Sequence, residues 1–264
     1  MAHSRKSTGV SKTNPPGWLR ALGHRDLPSK VTLNGETFIH IQTYKHDFFA
    51  GTGLYEGAGR KVVVKIGRQA PIMGIPVSFI GLVLMKRESR MLRAVAGCEG
   101  VPECLGTVLR TGLVRAYVPG RPLGREDRPG DEFFPRLEKL LGEIHSRNMA
   151  YVDLEKRENV LVGDDGMPHL IDFQISWKFD GWLGRTWPAR WMLGVLQQSD
   201  RYHLMKHWRR LRPDQLDEAT FQRTGKAPFW IAWHRRVFRP FTLLRRRVLV
   251  WLGARETAHG RSPG

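Results

Sequence analysis

Asp153, Asn159 and Asp172 stand in order within the stretch LLGEIHSRNMAYVDLEKRENVLVGDDGMPHLIDFQIS, residues 140–176. A carboxylate, a carboxamide and a second carboxylate are the oxygens that phosphoryl transfer requires. One orients the acceptor hydroxyl and takes its proton, and the other two hold a Mg²⁺ ion bridging the phosphates. The spacing suits that chemistry. Asn159 and Asp172 are 172 − 159 = 13 positions apart, the separation at which a β-hairpin returns both ligands to one metal site. The apolar runs on either side of Asp164-Asp165-Gly166 supply the two strands of such a hairpin.

The elements that must position these groups can be read upstream. VTLNGETFIHIQTY predicts two strands around Asn34-Gly35. HDFFAGTGLYEGAGRKVVVKIG, residues 46–67, reads as three strands with glycine-rich connections, and it places Lys65 in a β-branched strand. Gly51 and Gly53, in AGTGLY, would form a glycine turn ahead of that lysine. Residues 84–96 carry apolar Leu84, Met85, Met91, Leu92 and Val95 between charges, which predicts an amphipathic helix bearing Glu88. A further hairpin is expected around Thr111-Gly112, and VPGRPLG then breaks the pattern as a linker. Beyond it, Phe134, Leu137, Leu141 and Ile144 mark one face of a helix. From about residue 187 the sequence is helical in character, rich in Arg and Trp.

Taken together, these residues resemble the protein-kinase-like superfamily. Tyr151-Val152-Asp153-Leu154 stands where the superfamily has H-R-D-L, Asn159-Val160-Leu161-Val162 matches its N-[IV]-L-[VL] strand, and Asp172-Phe173-Gln174 replaces D-F-G. The resemblance implies an α+β, two-lobed fold with a β-rich N-lobe and a shortened helical C-lobe. It implies ATP and Mg²⁺ as cofactors. Lys65, held by Glu88, would grip the α- and β-phosphates, with Gly51 and Gly53 beside them. Asp153 would orient the acceptor, Asn159 and Asp172 would hold the metal, and the adenine would lie against the backbone near Tyr117 and Val118. The corresponding segments are 31–118 for the N-lobe and 119–222 for the catalytic C-lobe. A second match to the motif, His24-Arg25-Asp26-Leu27, has neither nucleotide-binding strands nor a Gly-rich loop before it and reads as coincidence.

Three departures refine the expectation. Asp153 to Asn159 is six positions where the usual loop has five, so the loop must bulge, or Glu158 must take the ligand role. Val152 replaces the usual Arg, which removes the dock for an activation-loop phosphate. No A-P-E element follows Asp172, and 264 − 172 = 92 residues remain. These features look like the compact bacterial kinases of the lipopolysaccharide core (heptose and Kdo kinases) and the RIO-type atypical kinases. The expected substrate is an anionic sugar or glycolipid. A protein serine/threonine kinase would use the same residues, and a pseudokinase binding lipid or nucleic acid is the non-catalytic alternative.

Charge points the same way. The chain of 264 residues carries a formal +18, which favours an anionic partner, a membrane or glycolipid before nucleic acid. Cys98 and Cys104, the two cysteines, match no zinc spacing. The first residues lack an apolar signal core and no run is long enough to span a bilayer, so a cytoplasmic protein is expected, at most peripheral on the cytoplasmic face of the inner membrane. Residues 1–30 read as a basic, loosely ordered leader. Residues 223–264 hold ten Lys and Arg against one Glu, interleaved with aromatics. In FTLLRRRVLVWL a helix would place Phe241, Leu244, Val248 and Trp251 on one face, a pattern suited to an anionic membrane surface.

Overall fold

The computed structural model describes residues 20–71 and 76–223. An antiparallel sheet of six strands, in the order β1-β2-β3-β4-β6-β5, forms the first lobe. β1 (Lys30–Leu33) and β2 (Glu36–His46) are joined at Asn34-Gly35, whose φ angles of 50° and 86° define the tight turn that this dipeptide favours. β3 (Ala50–Gly57) and β4 (Arg60–Gly67) follow, then α1 (Ser78–Ala94), β5 (Cys104–Val108) and β6 (Gly112–Ala116). Strand alternation divides β4 into two faces. Val62, Val64 and Ile66 enter a core with Phe38, Tyr55, Val108 and Val114, while Val63, Lys65 and Gly67 face the other way.

The second lobe begins with the short strand β7 (Gly120–Pro122). It continues through α2 (Phe133–Ser146), β8 (Met149–Ala150), β9 (Val160–Gly163), β10 (Pro168–Leu170), β11 (Trp177–Lys178), α3 (Gly181–Arg185), α4 (Trp187–Leu211) and α5 (Glu218–Arg223). β9 and β10 form the hairpin read around residues 164–166. β8 pairs with β11. The expected face of α2 is buried, and Phe134 stacks on Trp208 of α4 with ring centroids 5.4 Å apart. The result is an α+β architecture of a β-rich first lobe and a mostly helical second lobe, as the sequence implied.

Several local expectations are corrected. Residues 46–67 form two strands rather than three, because Phe48 and Phe49 belong to the turn and Gly51 and Gly53 to β3 itself. α1 starts at Ser78, well before the periodic run at 84–96. The linker VPGRPLG contains β7, which pairs with β9. The described end of the leader is packed, not loose. Ala21, Leu22 and Leu27 are buried, and the Gln69 and Ala70 amides both donate to the Ala21 carbonyl. The basic segment after Arg223, with its expected membrane helix, lies outside the described residues, as does the leader before residue 20.

Candidate active site

Lys65 is held between two carboxylates. Its ammonium is 2.8 Å from Glu88 Oε2 and 2.9 Å from Asp172 Oδ1. A close backbone crossing sets this up. A Cβ on Gly81 would lie 2.2 Å from the Arg68 carbonyl oxygen, and one on Gly67 would lie 2.6 Å from that of Gly81. Only two glycines let α1 approach β4 so closely. Glu88 is seven residues, two helical turns, beyond Gly81, and Lys65 shares its strand face with Gly67, so the crossing brings the pair together. Burial raises the Glu88 carboxyl, with Lys65 opposing that shift. Asp172 is held below the ordinary carboxylate range because Lys65 outweighs the cost of burial, and the Lys65 ammonium is pushed up to about 12 by its two partners. Lys65 is the centre of the triad.

The loop from Asp153 to Asn159 takes up its extra residue in a local turn. A turn at Leu154-Glu155 leads into a 3-10 turn, Arg157–Asn159, with Asn159 N–H donating to the Lys156 carbonyl at 3.0 Å. Asn159 is buried and its side-chain amide donates to Asp153 Oδ2 at 2.7 Å. Glu158 is exposed, whereas Asn159 is turned inward onto Asp153. Lys156, which sequence reasoning passed over, also reaches Asp153 Oδ2 at 2.7 Å. Burial raises the Asp153 carboxyl and Lys156 partly offsets it. A carboxylate tuned upward in this way is a better proton acceptor than a solvated one.

Asp200 is the residue that the sequence hid. This carboxylate from the middle of α4 is fully buried and accepts the amide protons of Tyr151 at 2.8 Å and Val152 at 2.7 Å, with His145 Nε2 at 3.1 Å. Val152 has φ +72°, a conformation that a β-branched residue adopts only under constraint. Asp200 supplies that constraint and so fixes the direction in which Asp153 leaves the backbone. Asp172 has φ +66°, and its neighbour Phe173 packs edge-on against Tyr151 at 5.0 Å. Tyr151 closes the arrangement by donating its hydroxyl proton to the Ile171 carbonyl.

Toward the chain crossing between the lobes, Tyr117 and Val118 are half-buried just after β6. Tyr44 of β2 lies beside Tyr117, and burial followed by that neighbour raises its hydroxyl. Arg115 shares the β4 register at Val63, faces the Lys65 side, and its positive charge acts on Glu88 and Asp172. Gly51 and Gly53 are brought in differently from the expectation. Their register partners are Ile66 and Val64, and a Cβ at either would meet Leu27 of the leader, at 3.0 and 2.8 Å respectively. A Cβ at either position would therefore point away from Lys65.

The donor set suits Mg²⁺. The Asn159 NH₂ group points at Asp153, which leaves its carbonyl oxygen free of protein hydrogen bonds among the described residues, and Asp172 keeps Oδ2 while Oδ1 receives Lys65. No cluster of three or more His, Cys, Asp or Glu forms among the described residues. A hard ion held by two protein oxygens and completed by phosphates and water needs no such cluster.

No family model matches the chain, and no curated protein matches it. Among solved structures it is similar to the Rio2 kinase from Chaetomium thermophilum, at 14% identity and TM-score 0.48, covering 65% of this chain and 58% of that one. It is also similar to another solved kinase domain, at 15% identity and TM-score 0.47, covering 60% and 56%. The chain thus spans less than two thirds of the length of either structure.

Proposed function

We propose that this protein is an ATP- and Mg²⁺-dependent phosphotransferase of the atypical kinase fold that phosphorylates a hydroxyl of an anionic sugar or glycolipid at a membrane surface. The observation that carries the reading is Lys65 bridging Glu88 and Asp172 across the lobes, with Asp153 and Asn159 in contact nearby. Lys65 and Arg115 offer positive charge to the phosphates of a nucleotide. Asn159 and Asp172 would hold Mg²⁺, which neutralises the charge that the phosphoryl group carries in transfer. Asp153 orients the acceptor hydroxyl and takes its proton as the oxygen attacks. Lys156, beside Asp153, is placed to balance charge on the moving phosphoryl group.

The acceptor class is supported by the +18 charge and by the short path from Asp172 to α4, 187 − 172 = 15 residues, which leaves little chain for an extended peptide platform. Purified protein with labelled ATP, Mg²⁺ and a cell-envelope extract tests the reading. Label in a lipid or saccharide fraction supports it; label only in protein favours a protein kinase. A nucleotide-induced melting shift without transfer to any fraction favours a pseudokinase.

A further inference from the structure

Four tryptophans fall at 177, 182, 187 and 191, immediately after the candidate metal ligand Asp172. Large aromatics normally find cover in a folded chain, and a cluster without it marks an interaction surface. Here Trp182 is 75% exposed, Trp187 77% and Trp191 58%. Trp187 and Trp191 lie one turn apart on α4, on the same side of the helix. The surface continues onto α1. Phe79 and Val83, 60% and 58% exposed, line up at i, i+4 with Arg87, whose guanidinium lies 4.7 Å over the Trp177 ring and donates to the Ser176 carbonyl at 2.9 Å.

Cations border the same surface. Arg185 and Arg190 are exposed and form no ion pair among the described residues. Lys178 is paired with Asp180, the sole acidic residue between 173 and 199. Exposed tryptophan beside unpaired arginine is the composition of a surface that lies in the headgroup region of an anionic bilayer, where the indole finds an apolar body and a polar rim.

We propose that residues 175–192, with the Phe79–Val83 edge of α1, form a membrane-docking face for anionic lipid. Two other occupants fit less well. A second copy pairing through the same face would set Arg185 and Arg190 of both copies against each other. The segment after residue 222, with ten Lys and Arg against one Glu, has the wrong charge to cover a cationic surface. The face is tied to the catalytic loop: the Ser176 hydroxyl donates to the Tyr151 carbonyl at 2.9 Å, two residues before Asp153, and the Gln174 amide reaches Asp172. Docking there would present a lipid-borne hydroxyl to Asp153; that consequence rests on the phosphotransfer reading, whereas the docking itself does not.

The experiment is co-sedimentation of the full chain with vesicles of phosphatidylcholine, with and without phosphatidylglycerol, together with tryptophan emission and its quenching by brominated lipid. Wild type should bind the mixed vesicles more tightly, with blue-shifted, quenched emission. The triple variant Trp182→Ser, Trp187→Ser, Trp191→Ser should bind at least about tenfold more weakly, since affinity scales with the apolar area inserted. The pair Arg185→Gln, Arg190→Gln should lose mainly the phosphatidylglycerol-dependent part. Equal partition of wild type and triple variant overturns the proposal, and so does failure of wild type to bind. A wild-type dimer that the triple variant abolishes in sedimentation equilibrium also overturns it, in favour of a second copy. The melting shift with Mg²⁺-ATP, measured on the same samples, separates the two readings: its absence in wild type would remove the phosphotransfer reading and leave the docking result standing.

Discussion

The Asp200 carboxylate accepts the Val152 amide proton at 2.7 Å, joining the middle of α4 to the residue before Asp153. Val152 would not hold a φ of +72° unaided. The same carboxylate serves Tyr151 and His145, so it is the buried hub of the loop.

Replacing Asp200 by Ala strips the buried Tyr151 amide and the part-buried Val152 amide of their acceptor at once; a buried donor left unsatisfied costs about 1–3 kcal/mol. The expected loss of stability is about 3–5 kcal/mol, read as a lower midpoint in urea unfolding. Asp200→Asn keeps one acceptor oxygen and should recover part of it. A midpoint unchanged in Asp200→Ala would show that the strain at Val152 is sustained elsewhere.

Asp172→Ala should lower phosphate transfer roughly a hundredfold or more, the scale of removing one preorganised electrostatic contact. Asp172 is partly open to solvent and its main partners are Lys65 and the Gln174 amide, so the fold should persist. Near wild-type turnover in Mg²⁺-ATP would remove Asp172 from the metal site. Asp26→Ala serves as the matched control. Its carboxylate is exposed and engages Arg20, so turnover should be unaffected and stability should change by no more than about 0.5 kcal/mol.

Lys156→Met tests the tuning of Asp153. Burial raises that carboxyl and Lys156 draws it back, so removing the lysine should raise it further. If the ionised form of Asp153 is the one that turns over, the acid limb of the kcat profile should move to higher pH. A limb that stays in place while kcat falls would assign Lys156 to phosphate contact alone.

Most of the candidate site was legible because it is local. Asp153, Asn159 and Asp172 belong to one hairpin and its preceding loop, and Lys65 lies in a strand whose β-branched neighbours announce it. What was missed depends on contacts across the chain. Asp200 is one carboxylate within a helix whose surface is charged elsewhere, and nothing local separates it from Ser199 or Arg201 beside it. Gly51 and Gly53 looked like a turn because glycine is usually punctuation; in the structure they leave room for Leu27, a residue more than twenty positions away. Phe48 and Phe49 read as a strand by composition, yet they form the turn, where the Asp47 carboxylate accepts the amides of Phe49 and Ala50.

Gly81→Ala probes the crossing that places Glu88. The added methyl group would meet the Arg68 backbone, which cannot move without disturbing β4. Overpacking of this kind costs about 1–3 kcal/mol, and the helix must withdraw from Lys65 to relieve it. The expected result is a lowered melting temperature together with a diminished shift on adding Mg²⁺-ATP. Gly142→Ala is the control, because a Cβ there meets nothing within 4 Å and the substitution favours the helix. Equal behaviour of the two variants would mean that the Gly67–Gly81 approach does not govern the Lys65–Glu88 pair.

His207 gives the protein an acid-sensitive point beneath the loop that carries Asp153. Its Nε2 is 2.8 Å from the carbonyl oxygen of Leu154, the residue after Asp153. Burial holds the imidazole down to about 4, from an ordinary value of 6.5. The unfolded chain therefore binds this proton more readily than the folded one. The stability associated with neutral His207 is fully present above about pH 6.5 and is lost as pH falls toward 4, by up to roughly 3 kcal/mol. Below that value the folded form also takes the proton and the loss levels off. His207→Gln keeps a donor for Leu154 without a titrating ring, so its unfolding free energy should fall less between pH 6.5 and pH 4.5 than that of wild type. Parallel pH profiles for the two proteins would show that the acid sensitivity arises from other groups.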